Sequence, residues 1–402
     1  MFRYSCLFGA SLMGMGQVSL LICLPVFVNE TGIDYGIFAG LVALGTGLSI
    51  VAAPVWGKIS DYFGRKVVIT AGLTGFIVSN GLLALMLISG GSAQVAMLLL
   101  VLSRVIYGLT VAGFYPAVQA WSVDQSTALN PVKDLSRVSA AISLGRLLGP
   151  LLTLVLLPLG AVVPVIAVFS LAVLTLLITS FSEKPETGGA RQLSYEFEGT
   201  TTTLLLKRTR PVLLIAGSVT TVFGLLQYLI APVLQQKFHY SAETASETLS
   251  FLMLTAAFST LIAHITLPRL IQHRLPLALV SGGLLLLAGT LCLLSATDLI
   301  AMTSGIATCA VSVALLTPVY TTLGCQLVPA DQQGELTGIL SMIHTMGYTL
   351  GALLAGALGL LSGLNVMYLC GALIVVLFSG IVYFIRNRPA ENSREFTIGV
   401  ER

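Results

Sequence analysis

Residues 37–89 read IFAGLVALGTGLSIVAAPVW-GKISDYFGRK-VVITAGLTGFIVSNGLLALMLIS, two apolar runs joined by one short polar loop, residues 57–66. Each run is about 20 residues long. A helix of that length rises roughly 30 Å, the thickness of a bilayer's hydrocarbon core. Neither run alternates apolar and polar residues, so neither reads as a strand of a membrane barrel. Inside hydrocarbon a helix satisfies its own backbone N–H and C=O groups, so this pattern predicts two membrane helices and a tight turn.

The same pattern recurs along the chain. Twelve stretches qualify: 5–28, 37–58, 67–89, 94–118, 137–159, 162–182, 211–235, 246–267, 276–296, 299–323, 336–361 and 364–386. Composition agrees, with 56% hydrophobic and 9% charged residues and a mean hydropathy of +0.95. Soluble domains are about a quarter charged. The sequence therefore excludes a soluble enzyme, a nucleic-acid binder and a disordered chain. The opening run lacks a small-residue cleavage site and reads as a retained first span. The six cysteines lie in or beside apolar runs, none spaced as C-x-x-C, and read as small buried hydrophobes.

Only one connection is long. Residues 183–210 are polar and divide the chain into an N-terminal six-helix bundle (1–182) and a C-terminal one (211–388), followed by a tail at 389–402. With the N-terminus placed in the cytoplasm, 17 of the 20 Lys and Arg residues fall in cytoplasmic segments. Lys237 alone falls outside, and Arg104 and Arg146 fall within spans. That bias places both termini and the linker in the cytoplasm of an inner-membrane protein.

The halves repeat. An offset of 202 sets SLGRLLGPLLT (143–153) on TMGYTLGALLA (345–355), pairing Gly145 with Gly347, Gly149 with Gly351 and Arg146 with Tyr348. It also pairs Pro116 with Pro318, while an offset of 207 pairs Pro25 with Pro232. The sequence thus predicts an all-α polytopic protein of twelve helices in two six-helix bundles related by a pseudo-twofold axis. Parallel repeats of this kind place a substrate site between the halves near the midplane.

The loop Gly57-Lys-Ile-Ser-Asp61-Tyr-Phe-Gly64-Arg65-Lys66 adds a second line of reasoning. Gly57 and Gly64 are expected to permit close backbone approach, and Asp61 to meet a cation or a helix N-terminus. The loop resembles the G-x-L-x-D-R-x-G-R-K signature of the major facilitator superfamily, with Gly57, Asp61, Gly64, Arg65 and Lys66 matching and Tyr62 in place of the family's first Arg. Leu100-x-x-x-Arg104-x-x-x-Gly108 is similar to the family's second motif, whose Arg is associated with proton coupling. Gly145-x-x-x-Gly149-Pro150 is similar to the third, which marks export branches; its usual Gly-Gly is Thr153-Leu154 here. The resemblance covers residues 5–386 and implies the major facilitator fold, with twelve-span drug/proton antiporters as the nearest branch. It also implies that Asp61 lies near the start of span eleven and gates the cytoplasmic side.

A charge at the bilayer centre is costly, so one retained there marks function by default. Arg104 and Arg146 are central, His344 is two turns into span eleven, and no Asp or Glu lies at the centre of any span. Arg104 has a structural alternative, bonding carbonyls or hydroxyls of neighbouring helices. Arg146 replaces an apolar position in a packing motif, and Tyr348 is expected to face it across a central cavity, with His344 on the same helix face. With Gln17, Gln227, Tyr228 and Tyr320 these residues form the candidate substrate site. A cavity with two guanidinium groups and no carboxylate suits an anion and repels a lipophilic cation. The expected activity is proton-coupled export of an anionic or carboxylate-bearing metabolite, siderophore-like, by alternating access. The alternatives are a multidrug efflux antiporter and a nutrient-importing symporter. No G-x-x-x-x-G-K-[ST] sequence occurs, so the expected partners are a small molecule, protons and the lipid bilayer, with no cofactor, no metal and no nucleic acid, the protein acting as a monomer.

Overall fold

A computed structural model of the chain describes residues 2–124, 131–182, 199–271, 274–329, 332–358 and 363–386. The first half contains α1 (Phe2–Thr31), α2 (Tyr35–Phe63), α3 (Arg65–Ile88), α4 (Ala93–Val111), α5 (Phe114–Asp124), α6 (Pro131–Leu156) and α7 (Val163–Phe181). The second contains α8 (Gly199–Lys237), α9 (Ala242–Ile271), α10 (Leu275–Ser295), α11 (Leu299–Cys325), α12 (Gln333–Leu358) and α13 (Gly363–Arg386). Among the described residues there is no strand. Among the described residues twelve spans are long and apolar enough to cross a membrane, α4 and α5 counting as one.

Two expectations need correction. Span four is not one helix: it breaks at Ala112–Gly113 between α4 and α5. Pro116 has no N–H to offer the Ala112 carbonyl, and a Cβ on Gly113 would lie 2.7 Å from Trp56, so the break lets the chain close on α2. Span seven starts earlier than 211, because α8 begins at Gly199 and includes twelve residues of the expected linker. The rest of that linker, 183–198, and the tail at 389–402 lie outside the described residues.

Lipid gives helices no hydrophobic reason to prefer one another, so their contacts depend on close packing of small residues. α1 and α6 meet where a Cβ on Gly145 would lie 1.8 Å from the Ser11 carbonyl oxygen, and one on Gly149 would lie 2.9 Å from that of Met15. α8 and α12 repeat this arrangement. Gly347 packs on Thr220 and Thr221, and Gly351 on Gly224 and Leu225, with imagined Cβ distances of 2.0 to 3.1 Å.

These contacts define the repeat more finely than the sequence did. α6 maps on α12 with the expected offset of 202. α1 maps on α8 with an offset of 210, pairing Ser11 with Thr221, Gly14 with Gly224 and Met15 with Leu225. Gly72 against Phe114 likewise maps on Gly282 against Leu316. Pro25 and Pro232, offset by 207, are therefore three residues out of this register.

Hydroxyls within the spans bond back to their own helices. Thr153, Thr175, Thr220 and Ser250 each donate to the carbonyl four residues earlier, at 2.7 to 3.0 Å. Lys237, the cation outside the charge bias, donates to the Ala296 carbonyl at 2.5 Å. It thereby caps the C-terminus of α10, where the helix dipole favours a positive charge.

Gly145→Leu is expected to prevent α1 and α6 from meeting and to abolish a monodisperse folded protein in size-exclusion chromatography. Gly40→Ala, at a site with open space around the new Cβ, is expected to leave the melting temperature unchanged or raise it slightly.

Candidate functional site

The loop at 57–66 works as a tie. Gly64 has φ +94°, a conformation that side chains disfavour, and its N–H donates to the Ser60 carbonyl at 3.1 Å. The reversal places Arg65 at the start of α3. Its guanidinium pairs with Asp61, donates to Ser60 Oγ at 3.0 Å, and reaches Asp124 Oδ2 on α5 at 3.1 Å. Lys66 Nζ donates to the carbonyls of Ser180 and Ser182 at the C-terminal end of α7, at 3.0 and 2.6 Å. The loop therefore clamps α2, α3, α5 and α7 at one end of the first bundle. Neither Gly57 nor Gly64 is a close-approach position, since a Cβ on either would meet open space; Gly64 is needed for its positive φ instead. Tyr62 is exposed and stacks edge-on against Phe63 with ring centroids 4.8 Å apart.

The two halves touch at the opposite end. A Cβ on Gly36 of α2 would lie 2.5 Å from the Gly356 carbonyl oxygen on α12, and one on Gly356 would lie 2.7 Å from that of Gly36. Towards the 57–66 loop the same helices separate. Pro54, 18 residues and five turns from Gly36 on the same face of α2, is exposed, and so is Gly338, 18 residues from Gly356 on the same face of α12. A cleft thus opens between the halves at the loop end. In this arrangement Asp61 pairs with Arg65 on its own side of the cleft, and its side chain is 70% exposed.

Arg146 lies in the cleft. Gly145 is held against α1, so the next residue points away from that contact; the Arg146 Cγ passes 3.5 Å from the Cβ position of Gly14. Its side chain is exposed although it sits mid-span. It lies within electrostatic reach of Tyr107 and Tyr115 in the first half and of His344 and Tyr348 in the second. Tyr348 packs on Gly224 as Arg146 packs on Gly14. The repeat also makes Gln17 and Gln227 equivalent, under the α1-to-α8 offset. Gln17 is exposed one turn before Leu21, which packs into the core of the second half. The structure therefore brings Arg146 of the first half together with His344 and Tyr348 of the second; Gln17 and Gln227 are matched to each other by the repeat alone.

Two expected cavity residues sit elsewhere. Arg104 is only 4% exposed. One of its terminal nitrogens donates to Ser79 Oγ at 2.9 Å and to Ser103 Oγ at 2.8 Å, and its guanidinium lies 5.3 Å from the centre of the Tyr107 ring. Its Nε has no partner. Tyr320 is fully buried, and its hydroxyl is 2.6 Å from His344 Nε2 and 3.4 Å from Thr317 Oγ1. It stands behind His344 instead of lining open space. Tyr35 was not singled out in the sequence; its hydroxyl donates to the Tyr228 carbonyl across the halves at 2.7 Å. A proline four residues after Tyr228, at Pro232, was the available signal.

The Major Facilitator Superfamily profile matches residues 6–343 and 274–399. The chain belongs to that superfamily. It is therefore a multi-pass membrane transporter and not an enzyme. Multidrug resistance protein 2 of Bacillus subtilis (strain 168) is 26% identical over 388 residues, 93% of this chain and 90% of that protein. Multidrug resistance protein 1 of the same organism is 32% identical over 126 residues, 31% of this chain and 30% of that protein. The quinolone resistance protein NorA of Staphylococcus aureus (strain MRSA252) is 32% identical over 141 residues, 34% of this chain and 33% of that protein. The chain thus matches only about a third of the length of these last two relatives. Among solved structures, a bacterial homolog of the human lysosomal transporter Spinster superposes with a TM-score of 0.71 at 14% identity, covering 96% of this chain and 95% of that one. The nucleoside transporter NupG does so at 0.71 and 12% identity, covering 95% and 98%.

Ser79→Val removes one acceptor of the Arg104 guanidinium. Hydrogen bonds to charged groups are worth about 1.5–3 kcal/mol, so the variant is expected to melt several degrees lower in detergent. Ser143→Val, at an exposed site on α6, is the control.

Proposed function

We propose that this transporter exports a small amphiphilic anion, bearing a carboxylate or similar group, in exchange for protons. In this reading it resides in the inner membrane with the 57–66 loop and both termini in the cytoplasm, which makes the loop end of the cleft its cytoplasmic end. The observation that carries this reading is Arg146, an exposed guanidinium at mid-span. No Asp or Glu occurs anywhere from 135 to 182 or from 336 to 390, so neither α6 beyond its first turn nor α12 beyond Glu335 brings it a carboxylate. A guanidinium fork presents parallel donors that match a carboxylate. Tyr348, Gln17 and Gln227 add neutral donors and acceptors on both sides of the cleft, and apolar walls take the rest of the molecule.

Proton coupling needs a group that changes charge during the cycle, and Arg does not deprotonate at working pH. His344 fits this role: it lies within reach of Arg146 and has Tyr320 as a fixed hydrogen-bond partner. In this mechanism His344 takes up a proton while the site faces outward and gives it up when the site opens to the cytoplasm, where the substrate anion is then loaded beside Arg146, and the halves rock about the site between the two events.

A second reading, broad multidrug efflux, is favoured by the near full-length similarity to Multidrug resistance protein 2. A cationic drug gains nothing from Arg146, so the two readings separate by charge. The test uses purified protein in proteoliposomes with an imposed pH gradient and a panel of aromatic carboxylates and lipophilic cations. Gradient-driven uptake of carboxylates and not of cations supports the anion reading; the reverse overturns it. Arg146→Ala is expected to lower carboxylate affinity by at least tenfold, Arg146→Lys by somewhat less because the fork is lost, and Tyr348→Phe by a few-fold.

His344→Gln is expected to keep counterflow exchange of labelled for unlabelled substrate while losing concentration against the pH gradient. Undiminished gradient-driven accumulation by this variant would exclude His344 as the coupling group.

A further inference from the structure

Alternating access requires the two halves to part at the end where this structure holds them together. Three features meet there. Gly36 and Gly356 bring the first turn of α2 and the last turns of α12 into backbone contact, each placing its carbonyl where the other's Cβ would stand. Asp34 caps α2, its Oδ1 accepting from the N–H groups of Gly36 and Ile37 at 2.8 and 3.3 Å, which fixes the first turn. Between these two residues stands Tyr35, whose hydroxyl donates to the Tyr228 carbonyl of α8 at 2.7 Å.

The Tyr228 carbonyl is available for a chemical reason. In a helix it would accept from the N–H four residues on, and that residue is Pro232, which has none. An unpaired carbonyl in a membrane interior is costly. Here the missing donor comes from the other half of the protein. The bond forms only when the halves are together at this end, and when they part the carbonyl must find another donor, such as water entering the opening.

We propose that the Tyr35 hydroxyl, the Tyr228 carbonyl freed by Pro232 and the Gly36–Gly356 contact form a latch that closes the cleft at the end opposite the 57–66 loop. Its strength sets the balance between the two facing states. The proposal rests on membership of the transporter family and not on the charge of the substrate. Tyr35 and Gly356 are positioning residues for the transport cycle, since neither is among the cleft residues around Arg146.

The test is accessibility of the cleft. Gln17→Cys is introduced after the six natural cysteines are replaced, and its labelling by a membrane-impermeant maleimide is timed in intact cells and in inverted vesicles. Tyr35→Phe removes one oxygen and is expected to raise labelling from the face opposite the loop about threefold to tenfold, with labelling from the loop face lowered. Pro232→Ala restores a helical N–H to compete for the carbonyl and is expected to act in the same direction, non-additively with Tyr35→Phe. Gly356→Val is expected to have the largest effect; if it does not fold, the other two variants carry the test. Labelling unchanged by both Tyr35→Phe and Pro232→Ala overturns the latch. So does a rise from both faces together with a lower melting temperature, which reports general loosening.

Discussion

The contact between Gly145 and the Ser11 carbonyl decides where Arg146 sits. Lipid cannot drive two helices together by excluding apolar surface, so α1 and α6 adhere only because their backbones come close enough for dispersion forces to accumulate. A single Cβ at 145 would overlap the Ser11 oxygen. Once that register is set, the 100° turn of the helix leaves Arg146 at the edge of the contact, where its aliphatic stem passes over Gly14 and its guanidinium reaches the cleft. The same rule in the second half seats Tyr348 over Gly224. Packing geometry and site geometry are thus one constraint, applied twice.

The duplicated frame is symmetric in packing and asymmetric in charge. Under the offset of 202 the counterparts of Arg104 and Arg146 are Ile306 and Tyr348. Both mid-membrane cations therefore belong to the first half, while the second contributes aromatic and imidazole groups. Any charge placed between the halves experiences a field along the line joining them. Arg104 is enclosed by Ser79, Ser103 and the Tyr107 ring, so its guanidinium is held within the first half. Arg146 is the guanidinium open to the cleft.

Much of this was legible in the sequence because membrane physics is severe. A span needs about 20 apolar residues, and that alone located all twelve spans. The repeat offset found Gly145, Gly149, Gly347 and Gly351, and these are the positions at which backbones touch. Gly64 was legible as part of a tight turn, but not as the close-approach position it was expected to be. Gly57 was misread, because a glycine in a motif says nothing about whether its neighbours are near. The break in span four was missed, since proline and glycine are common in unbroken membrane helices and only the nearness of Trp56 distinguishes this pair. Tyr320 was placed in the cavity on residue type alone. Its burial depends on α11 packing, which no local pattern reveals. Tyr35 escaped notice because its partner is a main-chain atom 193 residues away.

Tyr228 joins the site to the seal. Its ring lies within electrostatic reach of Arg104, and its carbonyl holds Tyr35. It also packs against apolar clusters from both halves. The carbonyl and the ring belong to one residue, so the contact between the halves and the surroundings of the buried guanidinium meet at a single point of α8. Pro232 makes this possible by withdrawing one hydrogen bond from the helix and leaving it to be made between the halves.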